Sequence, residues 1–432
     1  MLPLRQELEQ RGFLHQYTHE EVFELYDKGD KKLYFGVDLS ADSMTIGNFC
    51  ALMHVFHWMR RGNMCYLLVG WATSTIGNPS GKDNERPVLT TEQLAHNQEG
   101  IHQQFTHLTR RCEEMLGQKF SFEIVNNYDW FKDFSFLDFL REVGRTITVN
   151  RMMGKDIVRR RITEADQSIS FAEFSYMLIM GYDFCHLAEK YNVELELGGS
   201  DERDGIMAGL EITHKKLGKK VYGVTNKLVL DSNGKKFGKS EWNAIWLDRS
   251  KNSPYVVYQY FLNIADADVE RFLKLFTFYD FDTIEQIIAT HQQDLAQRYG
   301  QDKLAEYVVK LIFGDEEARQ AQMISQILFS KDNPLDIIAT MSAEDIGALQ
   351  QETGGVQSAE LRVQSDTIVN LLVQTWLASS NGDAKKLIES RGVSCQERVV
   401  EDIHATVSAS DAVNGVILLR KGKKNFRVVK VG

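Results

Sequence analysis

Apolar and polar positions follow two different periods along the first half of the chain. Short apolar runs at 33–37 (LYFGV), 64–70 (MCYLLVG) and 122–125 read as strands. Segments 46–61, 91–116 and 136–143 carry apolar residues at helical spacing instead. Strands that alternate with helices predict an α/β fold built on a parallel sheet with crossover helices. Nucleotides bind such sheets at the carboxyl ends of the strands. From about 250 to 329 the pattern is helical throughout and rich in acidic residues. Residues 330–357 are polar, contain Gly354 and Gly355, and read as a connector. The remainder, 359–432, is a separate small module that ends in short alternating strands, VILLRKGKKNFRVVKV.

Length supports that division, since 432 residues exceed one ordinary core. A hydrophobic fraction of 43% and a charged fraction of 25% are those of a globular chain. No apolar run approaches the roughly 20 residues of a membrane span. The opening MLPLRQELEQ is charged and reads as an amphipathic helix, not a secretory leader. Five scattered cysteines form no C-x-x-C pair, which suits a reducing cytosol and supports no zinc site. The net charge of −10 argues against a general polyanion binder, but the charge is uneven. From 381 to 432 ten Lys or Arg face six Asp or Glu, so a basic tail follows an acidic body. That arrangement suits a local RNA contact, and equally a solvated basic face.

Four stretches carry candidate chemistry. At 34–48, YFGVDLSADSMTIGN places small and hydroxyl residues between a strand and a helix, whose N-terminus offers N–H groups to phosphate. At 70–86, GWATSTIGNPSGKDNER has the composition of a phosphate-contacting loop. It departs from a Walker A loop because Asp83 follows Gly81-Lys82. At 174–201, FSYMLIMGYDF and LGGSD follow one another, and Tyr176 and Asp183, seven apart, share a helix face. A buried Asp beside a Tyr reads a phenol hydroxyl or forms a structural pair. At 234–240, GKKFGKS sets Lys236 and Lys239 three apart, able to hold a pyrophosphate as charge develops. Each stretch taken singly also fits a surface turn or a structural pair.

Together and in this order, the four stretches closely resemble the bacterial and organellar tyrosyl-tRNA synthetase family. The likeness extends through NNYDWF (126–131), TVNRMMGKD (148–156), SISFAEFSYM (168–177), NIADADVERFLKLFTF (263–278) and LLRKGKKNF (418–426). It implies a Rossmann-type catalytic domain at 1–227 with a dimerisation insertion near 128–163, and a signature-loop linker at 228–250. A helical anticodon-binding domain at 251–330, a linker at 331–358 and an α+β RNA-binding module at 359–432 would follow. By the same resemblance Tyr34 and Asp183 bind the substrate phenol, and Tyr176 faces the amino group. Asp38, Gly199 and Asp201 line the amino-acid and ribose region, with Gly36, Ser40 and Gly47 beside the nucleotide. Lys82, Arg86, Lys236 and Lys239 grip the phosphates, and Ser240 completes the signature loop. Lys385, Lys386, Arg420, Lys421, Lys423 and Lys424 are the RNA-contacting candidates, and the run at 159–161 is either an acceptor-stem contact or a solvated face. The partners implied are tRNA, an aromatic amino acid and a second copy of the chain in a cytoplasmic homodimer, with ATP as substrate accompanied by Mg2+.

The sequence departs from the family pattern at specific places. The HIGH signature is here Thr45-Ile46-Gly47-Asn48. A threonine hydroxyl reaches less far than histidine, which implies a loss of about 2–4 kcal/mol in phosphate stabilisation if nothing compensates. Asn78 stands where the family carries Asp, Met180 where it carries Gln, and Glu202 where it carries Gln. A buried ammonium without an anionic partner is costly. Either Glu202 supplies the charge that Asn78 lacks, or the substrate is a phenol-bearing analogue with a displaced or absent amine. A catalytically decayed RNA-binding homologue is a third reading.

Overall fold

The computed structural model describes residues 2–77, 88–154, 158–159, 169–230, 232, 234, 244–329, 333–353, 365–422 and 425–431. By Cα packing the chain divides into two compact units, 1–251 with 264–304, and 252–263 with 305–432.

The first unit is built on a six-stranded sheet. Its strands are β1 (Leu14–Tyr17), β2 (Lys32–Asp38), β3 (Met64–Gly70), β4 (Phe122–Asn126), β5 (Leu195–Gly199) and β6 (Tyr222–Asn226). The order is β1-β6-β5-β2-β3-β4, with β1 antiparallel to β6 and all other pairs parallel. The predicted parallel sheet is therefore present, with an antiparallel edge strand added. β3 is buried on nearly every residue, as expected of a strand covered on both faces. The strand order reverses between β2 and β5, and this reversal opens a crevice at their carboxyl ends.

Seven helices of this unit line or support that crevice: α1 (Leu4–Arg11), α2 (Ile46–Met59), α3 (Trp71–Ile76), α4 (Thr91–Leu116), α5 (Phe171–Lys190), α6 (Arg203–Leu217) and α7 (Asp266–Phe276). α2 is apolar almost all round and lies buried. α4 starts at the cap Thr90, whose side chain and that of Gln93 bond each other's backbone N–H, and ends at Gly117 in the left-handed region. The stretch 136–143, read as one helix, is a single α-turn at Phe136–Phe139 followed by a π-helical turn at Leu140–Gly144. α7, though it lies in the helical stretch of the sequence, packs on α1 and α2.

Among its described residues the second unit has six short strands: β7 (Ser365–Thr367), β8 (Val393–Cys395), β9 (Arg398–Val399), β10 (Thr406–Ser408), β11 (Val416–Lys421) and β12 (Asn425–Lys430). Four of them form an antiparallel sheet in the order β12-β11-β8-β9, and a two-stranded ribbon joins β7 to β10. β11 is covered on both faces. Ile417 and Leu419 pack with Leu371, Leu372 and Ile388, while Val416 and Leu418 pack with Ile324, Leu328 and Leu349. The stretch read as a connector holds two helices, Pro334–Ile338 and Ala343–Glu352, whose apolar residues join that second cluster.

Candidate active site

A cavity of about 450 Å3 lies at the carboxyl ends of β2 and β5, where the strand order reverses. β2 and the turn after it contribute Tyr34, Gly36, Asp38 and Ser40, and the start of α2 contributes Thr45, Gly47 and Asn48. Tyr176, Met180 and Asp183 come from α5, at i, i+4 and i+7 and hence from one helix face. Gly199, Asp201 and Glu202 complete the wall after β5. These are the residues expected from the sequence. Asn78, Lys82, Arg86, Lys236, Lys239 and Ser240 lie outside the described residues, as do Lys423, Lys424 and positions 160–161 of the short basic run.

A continuous polar chain runs along this wall. The Tyr176 hydroxyl donates to Asp38 Oδ2 at 2.9 Å, and Thr73 Oγ1 donates to Asp38 Oδ1 at 2.7 Å. Asn127 Nδ2 reaches Thr73 Oγ1 at 3.5 Å and donates to Asp183 Oδ2 at 3.1 Å. Trp130 Nε1 donates to Asp183 Oδ1 at 2.9 Å. Tyr176 and Asp183 thus do not pair with each other: Asp38 holds the first, Asn127 and Trp130 hold the second, and Thr73 links Asp38 to Asn127. Gly70 makes the crowding possible, since a Cβ there would stand 2.4 Å from Thr73 Oγ1 and 2.7 Å from Asp38 Oδ1. Gly205 on α6 does the same for Met180, whose sulfur would lie 2.1 Å from a Cβ at that position.

Asp183 is almost fully buried. Its carboxyl is pushed up to about 8, chiefly by burial and to a lesser extent by Asp38, against the opposing effect of the Asn127 and Trp130 donors. Tyr34 and Tyr176 are held neutral far above the ordinary phenol value, chiefly by burial and then by nearby carboxylates. Thr73, Asn127, Trp130 and the buried Glu196 are site residues that sequence reasoning did not single out. Asn127 and Trp130 sit in NNYDWF directly after β4, and that position was the available signal.

At the other end of the cavity, Thr45 caps α2. Thr45 Oγ1 donates to Asn48 Oδ1 at 2.8 Å, and Asn48 Oδ1 also accepts from the Thr45 backbone N–H at 3.0 Å. The segment 244–247 is stitched beside it: Ile46 N–H donates to Ile245 O and Leu247 N–H to Met44 O, both at 2.9 Å. Trp246 joins the cavity wall. Part of the helix N-terminus expected to face phosphate is therefore engaged within the protein. Thr45→Ala should lower unfolding free energy by about 0.5–2 kcal/mol through loss of the cap, as measured by urea denaturation.

In the second unit Lys385 and Lys386 are carried on the helix Asn381–Glu389, with Lys385 exposed. Arg420 instead pairs with Glu397 at 3.3 Å and lies over the Phe426 ring, and Lys421 donates to Leu377 O at 2.8 Å. Trp376, not foreseen from the sequence, is 76% exposed and held at φ 60°.

Comparison with known proteins agrees with this geometry. The model of class I tRNA synthetases (W and Y) matches residues 27–330, and that of the tyrosine–tRNA ligase SYY-like C-terminal domain matches 348–429. A tyrosine–tRNA ligase of Bacteroides thetaiotaomicron is 38% identical over 98% of both chains. One from Erwinia tasmaniensis is also 38% identical, over 99% of this chain and 98% of that one. The solved structure of a C-terminally truncated mitochondrial tyrosyl-tRNA synthetase of Aspergillus nidulans superposes with a TM-score of 0.69 at 29% identity, covering 76% of this chain and 95% of that one. The chain belongs to the class I tRNA synthetases and, over its full length, to the tyrosine–tRNA ligase family.

Proposed function

We propose that the protein activates tyrosine with ATP and transfers it to tRNA. The observation that carries this reading is the closed end of the cavity: a buried Asp183, held by two N–H donors, beside the buried hydroxyl of Tyr34. A ring hydroxyl entering there meets an acceptor whose position is already set. Tyr176 and Asp38 then face the amino-acid backbone, and Asp201 and Glu202 the ammonium or ribose side.

The substrate carboxylate attacks the α-phosphate of ATP, the bond to the β-phosphate oxygen breaks, and pyrophosphate leaves with its electron pair. A ribose hydroxyl of tRNA then attacks the activated carbonyl and releases AMP. No protein side chain forms a covalent bond, so the rate comes from positioning and charge stabilisation. Lys82, Arg86, Lys236, Lys239 and Ser240 are assigned to the phosphates, and Mg2+ is read as travelling with the triphosphate. Among the described residues no group of three or more His, Cys, Asp or Glu forms a metal cluster. ATP–pyrophosphate exchange dependent on L-tyrosine tests the activation step. Its absence in folded protein would refute this reading.

Two further assignments rest on exposed side chains. Phe136, Leu137, Val149 and Phe171 are 64%, 75%, 61% and 67% exposed, and apolar groups of this size mark an interaction surface. We assign them to a homodimer contact, and cytoplasmic residence fits the five free cysteines. The catalytic domain is assigned to 1–227, the signature-loop linker to 228–250, the anticodon-binding helices to 251–330, the linker to 331–358 and the RNA-binding module to 359–432. Within the last, Lys385, Lys386 and the exposed Trp376 would meet phosphates and a stacked base. Deleting the module is a poor test because β11 and β12 complete the cluster around Ile324 and Leu349. The double variant Lys385→Ala/Lys386→Ala should instead raise KM for tRNA roughly tenfold and reduce its salt dependence by about one to two in log–log slope, with pyrophosphate exchange retained.

A further inference from the structure

The closed end of the cavity contains more hydrogen-bonding capacity than one phenol hydroxyl uses. Tyr34 and Glu196 are partners in register across β2 and β5, so their side chains leave the same face of the sheet side by side. Both line the cavity, and each is only 2% exposed. Among the described residues neither Glu196 Oε2 nor the Tyr34 hydroxyl has a hydrogen-bond partner. The Tyr34 hydroxyl stands close enough to act on the Glu196 carboxyl as a hydrogen-bonding neighbour, but the geometry falls short of a formed bond at either the hydroxyl or Glu196 Oε2. Asp183, across from them, already has one N–H on each oxygen.

A buried polar atom without a partner is costly, and such atoms in folded proteins point to a ligand or a specific role. With tyrosine in place, the ring hydroxyl would engage Tyr34 and Asp183 and leave Glu196 as it is. A group on the adjacent ring carbon would come beside Glu196. We propose that Glu196 makes this site selective for an aromatic amino acid whose ring carries a second hydrogen-bonding group, a hydroxyl or an amine, next to the para hydroxyl. Burial, helped by the nearby Asp183 and Glu202 and opposed by the Tyr34 hydroxyl, keeps the Glu196 carboxyl protonated well above the ordinary range. A neutral carboxyl both donates and accepts, and so suits a hydroxyl or an amine equally. The inference rests on the reading of the cavity as an aromatic amino-acid activation site and narrows its substrate.

ATP–pyrophosphate exchange with the full chain tests it, using L-tyrosine, 3-hydroxy-L-tyrosine and 3-amino-L-tyrosine in parallel. The specificity constant for at least one 3-substituted substrate should exceed that for tyrosine by about tenfold, the worth of one added buried hydrogen bond. Which of the two is better identifies the substituent. In Glu196→Leu that ratio should fall to one or below, whereas Glu196→Gln, which keeps a donor and an acceptor, should keep the preference. A wild-type ratio of one or less overturns the proposal even if Glu196→Leu fails to fold. So does a preference that survives in Glu196→Leu. Exchange with none of the three substrates would instead defeat the underlying activation reading.

Discussion

Asp183→Asn should lower the specificity constant for tyrosine in pyrophosphate exchange by roughly 10² to 10³, the cost of disrupting a buried hydrogen-bonded carboxyl. The substitution keeps shape and volume, so the loss comes from chemistry. Asp183 accepts from Asn127 and from Trp130, one on each oxygen, and still has lone pairs for a ring hydroxyl. An amide offers one oxygen and one NH2, and the NH2 would face an N–H donor. That clash turns either Asn127 or Trp130 away and carries the disturbance through Thr73 to Asp38 and Tyr176. Discrimination against phenylalanine should fall as well, because the group that rewards the hydroxyl has gone. The pH profile provides an independent readout. Burial places the free carboxyl near 8, so the fraction able to accept a phenol proton grows as pH rises toward that value. The specificity constant should therefore rise with pH and level off above about 8, and this rise should be absent in Asp183→Asn. An unchanged profile in the variant would assign the titration to another group.

Much of this site is legible in the sequence, for reasons that differ residue by residue. Tyr34 and Asp38 lie in an apolar strand and Thr45 and Asn48 at the start of the helix that follows it, and this local order alone puts the stretch joining them at a strand's carboxyl end. Tyr176, Met180 and Asp183 share a face by helical arithmetic. Asn127, Trp130, Thr73 and Glu196 escape because their roles arise only when β5 comes beside β2, and β3 brings β4 and α3 to the same end of the sheet. That requires the strand order, and no local period encodes which parallel strands are neighbours. Glu196 has a further disguise: a lone acid inside LELGG reads as a polar position on a half-exposed strand.

The helices at 334–338 and 343–352 escape for an energetic reason. Their cap signals are present, with Asn333 before Pro334 and Ser342 three residues before Asp345. The apolar content is sparse, however, and their stability comes from partners about seventy residues away on β11 and β12. β11 itself is recognisable as a strand, but its burial on both faces becomes evident only once those helices cover the second face.

The largest effect on stability should come from Glu7, a residue with no part in the cavity. Glu7 is 5% exposed on α1, and its oxygens meet Arg11 Nε at 3.2 Å, Arg61 Nη2 at 2.6 Å and His57 Nδ1 at 3.2 Å. Arg60 Nη1 stands 3.5 Å away. Arg11 in turn donates to the carbonyls of Lys274, Thr277 and Tyr279, so it holds the C-terminal end of α7 against α1. Removing this carboxylate withdraws the counter-charge that Arg11 and Arg61 share in a buried setting, although Arg61 keeps Asp27 at 3.0 Å. Glu7→Ala should accordingly cost about 3–5 kcal/mol in equilibrium unfolding. Glu7→Gln separates charge from packing, since it keeps the volume and one acceptor. The sign of the pH dependence follows from the carboxyl. Burial alone would raise it, but the hydrogen bond from His57 and the charges of Arg11 and Arg60 outweigh burial and hold it well below its ordinary 4.5. A depressed carboxyl contributes its full stability above the unfolded value and loses it as pH falls through the folded one. Stability of the wild-type chain should thus decline as the medium is acidified below about 4.5, and Glu7→Gln should flatten that decline while being less stable at neutral pH. Chemical denaturation of both proteins across this acid range measures the difference, and parallel acid limbs would show that other carboxylates control it.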